Sequence, residues 1–266
     1  LAAPQKKQQR ARMAIELYRD EALLGIRAAC RVAAATLKNA GSRVEAGMTT
    51  GEIDQWVHGD TIRRGATPSQ LGYHGFPRSV CVSRNDVVCH GIPRDDEVIC
   101  SGDVLNIDVT SNLRGYHGDT SLMVAVGEIS AEARHLLQVT KACLYRGIEA
   151  VRPGARLGDI GAEISELAQH EGCSVVREYG GHGIGRKMHM EPHVSHHGRR
   201  GHGLRMAEGM VFTIEPMINL GSSEVKVDAD GWTVRTRDGR LSAQMEHTVL
   251  VTADGVEVLT ALSDDG

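Results

Sequence analysis

The sequence predicts an α+β fold, and three observations carry that expectation. Helical and strand-like stretches come in blocks, helices then strands, twice along the chain. Short motifs recur at a nearly constant offset. Apolar residues fill 41% of the 266 positions while aromatics fill only 3%, which suffices for a sizeable, mostly aliphatic core.

The elements follow in order. Residues 5–12, QKKQQRAR, form a basic run expected to be a solvated terminus, with residues 1–11 standing apart from a single unit over 12–266. Helical periodicity covers 12–40, with Gly41 as a stop signal. A second helix opens where Thr49 or Thr50 can cap its first turn. Strands are expected near 79–84, 103–110 and 117–126, helices at 131–151 and 156–171, and strands again near 173–178, 210–215, 232–236 and 246–252.

Composition narrows the function classes. A net charge of −4 makes no general case for nucleic acid, so DNA is not an expected partner. Cys30, Cys81, Cys89, Cys100, Cys143 and Cys173 form no C-x-x-C motif and mostly sit among apolar neighbours, which suits a reducing compartment. No apolar run is long enough to span a membrane, and no signal peptide is read ahead of the fold. The expectation is a cytoplasmic monomer.

The repeat is specific. VEAGMTTGEI at Val44 matches VRPGARLGDI at Val151, and GDVLNIDV at Gly102 matches GMVFTIEP at Gly209, both at an offset of 107 residues. GYHG at Gly72 matches GGHG at Gly180 at an offset of 108. The chain therefore reads as two related halves, about 12–150 and 151–260, with a site at their junction drawing on both.

Acids stand out against this repeat. Asp108 and Asp119 lie inside strand-like runs, and the Asn112-Leu113-Arg114-Gly115 segment carries type I turn signals. A hairpin centred between Leu113 and Arg114 puts the two carboxylates directly opposite one another. Like charges in that position destabilise a sheet, so a proton or a cation must intervene. Glu215 is the second-half counterpart of Asp108, and Glu246 in MEHTVLV takes the acidic place of Asp119. Two divalent cations balance four such carboxylates, and His182 in GGHGIG offers a neutral nitrogen. The oxygen-rich donor set suits Mn, Fe(II), Co or Zn without choosing among them. Paired metals of this kind acidify water and polarise carbonyls in aminopeptidases, phosphatases and nucleases. His90, His189 and His117 are further candidates by position, whereas the loop carrying His193, His196, His197 and His202 reads as solvated.

Six motifs in order, VCHGIP, GDVLNIDVT, GYHGDTS, GGHGIG, FTIEPM and SAQMEHT, resemble the type I methionine aminopeptidases over about residues 12–260. The resemblance implies the pita-bread fold, two pseudo-twofold halves around a central antiparallel sheet. It implies removal of the initiator methionine from nascent polypeptides, favoured when the second residue is small. Asp108, Asp119, His182, Glu215 and Glu246 would hold two divalent metals (Co, Mn, Fe, Zn or Ni), with Asp119 and Glu246 bridging. Glu215 would also act as general base, His189 would donate to the scissile carbonyl, and His90 would contact the scissile-side amide nitrogen. Tyr73, Phe76, Cys81 and Trp232 match the methionine pocket, while Asn85, Val87 and Ser242 match a monovalent cation site. Two pocket positions depart from the pattern: Gln70 replaces a cysteine common in bacterial relatives, and Met188 replaces an aromatic. The N-terminal zinc-binding extension of some relatives is not seen, and Lys6, Lys7, Arg10 and Arg12 suggest a transient ribosome contact. Alternatives are an Xaa-Pro aminopeptidase or prolidase of the same fold, and a non-catalytic scaffold.

Overall fold

The computed structural model describes residues 15–261. The basic run at 5–12 lies outside them. Helix α1 spans Asp20–Gly41. It starts later than the expected 12, because residues 15–19 are not helical and the Tyr18 N–H is bound by the Gly209 carbonyl at 2.7 Å. Helix α2 (Thr50–Arg63) is capped by Thr49, whose hydroxyl accepts from the Glu52 N–H while the Glu52 carboxylate accepts from the Thr49 N–H. Helices α3 (Ala131–Glu149) and α4 (Leu157–His170) repeat the arrangement in the second half.

The central sheet is antiparallel throughout. It runs from Thr67–Pro68 through Val104–Leu113, Tyr116–Ala125, Glu246–Val251, Val211–Ile214 and Gly181–Gly183 to Met190–Val194. Alternation along these strands separates core from site. Leu105, Ile107 and Val109 enter an apolar core with Ala33 and Leu37 of α1 and Ile53 and Val57 of α2. The intervening Asn106, Asp108 and Thr110 face the other way. In the second half Phe212 and Ile214 pack with Leu136 and Val139 of α3 and Ile160 and Ile164 of α4. Thr213 and Glu215 then point opposite. A strand buried on one side thus tolerates its acids because they belong to the other side.

The repeat appears as matched hydrogen bonds. Gly47 N–H binds the Ile99 carbonyl at 2.8 Å, and Gly154 N–H binds Met206 at 2.9 Å. Ile99 N–H returns to Met48 at 2.7 Å, and Met206 N–H to Ala155 at 2.8 Å. The isolated bridges Thr49–Val98 and Arg156–Arg205 differ by the same offset.

The hairpin register differs from the expected one. Thr110 pairs with Asp119 and Asp108 with Ser121, so the turn consists of Arg114 and Gly115 alone. Both turn residues have positive φ, 52° and 85°. Such two-residue primed turns match the right-handed twist of the strands, whereas a type I turn would splay them. The two-residue slip preserves the face, so Asp108 and Asp119 remain on one side but stand diagonally rather than opposite.

Candidate metal centre and substrate pocket

Three strands bring acids into one row. Asp108 pairs with Ser121, and Ser121 pairs with Glu246 on its other side. Asp119 lies two residues along from Ser121, and Glu215 follows the next strand out, Val211–Ile214. His182 sits between Gly181 and Gly183 on the strand beyond. A Cβ at Gly181 would lie 2.1 Å from the Thr213 carbonyl, and one at Gly183 would lie 2.2 Å from the Glu191 carbonyl. Only glycines let the His182 backbone fit between its neighbours, which is why GGHGIG presents this imidazole.

The His182 ring is oriented by its own backbone. Nδ1–H donates to the Gly183 carbonyl at 3.1 Å, leaving the Nε2 lone pair aimed at the acids. Nε2 lies 3.6 Å from Glu215 Oε1 and 3.8 Å from Asp119 Oδ2. Donor atoms of Asp119, His182 and Glu246 all fall within 4.8 Å of one another. The carboxylates are held from behind. The Thr110 hydroxyl donates to Asp119 at 2.8 Å, the Thr213 hydroxyl donates to Glu215 at 2.7 Å, and Gln244 Nε2 donates to Glu215 at 3.2 Å.

Electrostatics say what this cluster needs. Burial, reinforced by the neighbouring carboxylates, pushes Asp108 and Glu246 well above the usual carboxylate range. Burial raises Asp119 to about 6 and Glu215 to about 8. It also pushes His182 down to about 3, so the imidazole is neutral and free to ligate. Asp108 Oδ1 and Glu246 Oε1 are buried without any hydrogen-bond partner. Buried oxygens without partners, beside a neutral imidazole nitrogen, fit divalent cations and fit little else.

The pocket beside this centre has a volume of about 630 Å³ including its open mouth. All the expected substrate-side residues, Gln70, Tyr73, Phe76, Cys81, His90, Met188, His189 and Trp232, line it with the five expected ligands. Phe76 and Trp232 meet edge to face at 5.2 Å. His90 adopts a φ of 56° and lies between the Tyr179 and Trp232 rings, and burial lowers it to about 4. His189 stands at the exposed mouth, 4.2 Å from the His182 ring, with Nδ1 2.7 Å from the Tyr73 hydroxyl. Asn85, Val87 and Ser242 do not line the pocket. The Asn85 carbonyl accepts from the Ser242 N–H at 2.9 Å, and Val87 opens the strand Val87–Cys89. His117 turns away, its Nδ1 donating to the Gly185 carbonyl.

A further expectation is overturned. His196 is not solvated but 1% exposed, and its Nε2 accepts the Glu215 N–H at 3.0 Å. The signal lay elsewhere in the chain. A Cβ at Gly161 of α4 would lie 2.5 Å from the His197 carbonyl, and one at Gly158 would lie 2.6 Å from the carbonyls of Arg199 and His202. Two glycines one turn apart on α4 mark where this loop presses down. Gln244, Thr110 and Thr213 were also missed, being ordinary strand residues in sequence.

Comparison with known proteins agrees with this geometry. A profile of metallopeptidase family M24 matches residues 25–253. Methionine aminopeptidase A of Synechocystis sp. is 50% identical over 235 residues, covering 88% of this chain and 93% of its own. Methionine aminopeptidase of Escherichia coli K12 is 46% identical over 254 residues, covering 95% and 96%. The crystal structure of methionine aminopeptidase from Rickettsia prowazekii superposes with a TM-score of 0.92 at 46% identity, covering 93% of this chain and all of that one. The prolidase of Pyrococcus furiosus shares the fold at a TM-score of 0.75 and 21% identity, with 66% of its length covered.

Proposed function

Since the chain belongs to metallopeptidase family M24, we propose that it is a type I methionine aminopeptidase, hydrolysing the first peptide bond of nascent proteins to release the initiator methionine. The observation that carries this reading is the convergence of four acids, three of them buried and Asp108 half-buried, and His182, drawn from both halves, beside a soft-walled pocket. Its relatives of 46–50% identity carry that name over most of their length.

Asp108, Asp119, His182, Glu215 and Glu246 would hold the divalent metal, as a pair of Co, Mn, Fe, Zn or Ni ions. Bound there, such ions supply Lewis acidity toward the scissile carbonyl and lower the pKa of water. This chain's own groups do the rest. Glu215, fixed by Thr213 and Gln244, takes a proton at its carboxylate from the attacking water. Burial holds the Tyr73 phenol protonated, so it donates to His189 Nδ1 and leaves Nε2–H to donate to the carbonyl oxygen as negative charge develops. Neutral His90 contacts the amide nitrogen that leaves. The rings of Phe76 and Trp232, the Cys81 thiol and the flexible Met188 thioether surround the methionine side chain, a soft lining for a soft sulfur. A larger second residue clashes with the narrow far side of the cleft.

The reading further takes residues 12–266 as one catalytic unit acting as a monomer, with a monovalent cation at Asn85, Val87 and Ser242. It sets the protein in the cytoplasm, a location supported by six unpaired cysteines. No helix among the described residues is long and apolar enough to cross a membrane. Lys6, Lys7, Arg10 and Arg12 would make a transient ribosome contact, and neutralising all four should weaken co-sedimentation with ribosomes at low salt.

A peptide panel tests the function. With manganese or cobalt supplied, Met-Ala-Ser should be cleaved to free methionine and Ala-Pro peptides left intact. Cleavage confined to Xaa-Pro bonds would move the assignment to a prolidase, and no turnover with metal bound would make it a scaffold.

A further inference from the structure

We propose that Gln70 is a positioning residue that stands in for a missing β-strand and thereby holds two acids of the metal centre in place. Strand Val104–Leu113 is paired along one edge by two separate pieces of chain. Thr67–Pro68 pairs Asn112 and Ser111, and Cys81–Arg84 pairs Asp108 through Leu105. Between them the chain leaves the sheet to form the loop carrying Tyr73 and Phe76. Only the Ser69 N–H, donating to the Thr110 carbonyl at 2.9 Å, continues the first piece. The edge would be left open at the Thr110 N–H, and the Asp108 carbonyl, opposite Cys81 at the start of the second piece, can take a further donor.

The Gln70 carboxamide closes it. Nε2 donates to the Asp108 carbonyl at 2.9 Å, and Oε1 accepts from the Thr110 N–H at 3.2 Å. An amide has the donor and acceptor of a peptide unit, so it reproduces the ladder that a neighbouring strand would make. The residue is 6% exposed, so water has little access to do the same work. Both anchored residues govern the centre: Asp108 is one of its acids, and the Thr110 hydroxyl holds Asp119. One side chain therefore fixes the backbone of Asp108 and of Thr110, the residue whose hydroxyl holds Asp119. Supporting groups of this kind typically change metal affinity by about 10- to 100-fold.

This inference rests on the metal assignment, but its test does not require peptidase activity. Gln70→Met keeps the length and removes the amide. Gln70→Glu keeps an acceptor for Thr110 and sets an oxygen against the Asp108 carbonyl. Manganese binding to metal-free protein is to be measured by calorimetry for wild type and both variants, with kcat and KM on Met-Ala-Ser. Positioning predicts manganese affinity weakened about tenfold or more in both variants and a fall in kcat at saturating metal, with KM changed less than about threefold. Unchanged manganese affinity with a raised KM would make Gln70 a mere wall of the methionine pocket and overturn the proposal. Thermal unfolding of the metal-free proteins guards against a folding defect. If Gln70→Met unfolds, Gln70→Glu decides, and wild-type manganese affinity in it ends the proposal. Wild type that binds manganese but cleaves no peptide would instead count against the peptidase reading.

Discussion

The two halves of the molecule share a skeleton and differ in what they hang on it. In the first, the two acid-bearing strands are joined by Arg114 and Gly115 alone. In the second, residues 216–245 intervene between Glu215 and Glu246 and carry Trp232 and Gln244. The hydrogen bonds shifted by 107 residues show that the scaffold around α2 and α4 is the same. The acids sit on the shared part, whereas Trp232 and Gln244 reach the pocket from the unshared part. The support differs too. Behind Asp108 stands a side-chain amide, whereas behind Glu215 stands a buried imidazole. Symmetry sets the charge that binds metal, and departures from symmetry set what is cleaved.

The largest effects should fall on the symmetric acids. Asp108→Asn and Glu215→Gln should each lower kcat/KM by more than about 10³-fold and deplete bound metal, since each removes charge that balances the cations. Metal content by elemental analysis together with peptide kinetics checks this, and wild-type turnover in either variant would break the equivalence of the halves. His189 has no counterpart in the first half. His189→Ala should retain its metal yet lose about 10²–10³ in kcat, as for one oxyanion donor. A variant stripped of metal would put His189 among the ligands instead.

A pH experiment sharpens the same contrast. Asp119 and Glu215 titrate in the folded, metal-free protein at about 6 and 8, above unfolded carboxylates near 4. Between those values the unfolded chain holds fewer protons on these carboxylates than the folded one, while His90, His182 and His196, held neutral by burial, act the other way below about 6.5. Stability of the metal-free protein therefore falls as pH rises from about 6.5 to 8. Denaturant titrations in chelator across that window should show the decline, and Glu215→Gln should flatten part of it. An unchanged slope in that variant would mean Glu215 is ionised throughout. The smallest effect should be that of His196→Ala. It leaves the buried Glu215 N–H unpaired and should cost about 1–3 kcal/mol of stability, read from the same titrations. A variant as stable as wild type would return His196 to the class of surface loops.

Much of this was legible in the sequence because it depends on local pattern. The Thr49 and Glu52 spacing announces α2, and the alternation around Ile107 and Phe212 announces which side faces the core. The recurrence of acids at Asp108 and Glu215 needed only the repeat. What escaped depended on geometry that composition does not encode. The hairpin register turned on Arg114 accepting positive φ, a conformation turn propensities assign to glycine or asparagine. His196 lay in a Gly- and Arg-rich loop whose burial comes from α4, more than thirty residues earlier in the chain. Gln70 was legible as a substitution in the pocket but not as a surrogate strand.

The central claim is that acids from both halves share divalent cations. Anomalous diffraction at the manganese and cobalt edges, from crystals soaked in each metal, tests it most directly. The account predicts two adjacent peaks enclosed by Asp108, Asp119, His182, Glu215 and Glu246. Peaks elsewhere, or none among these five side chains at neutral pH, would contradict it.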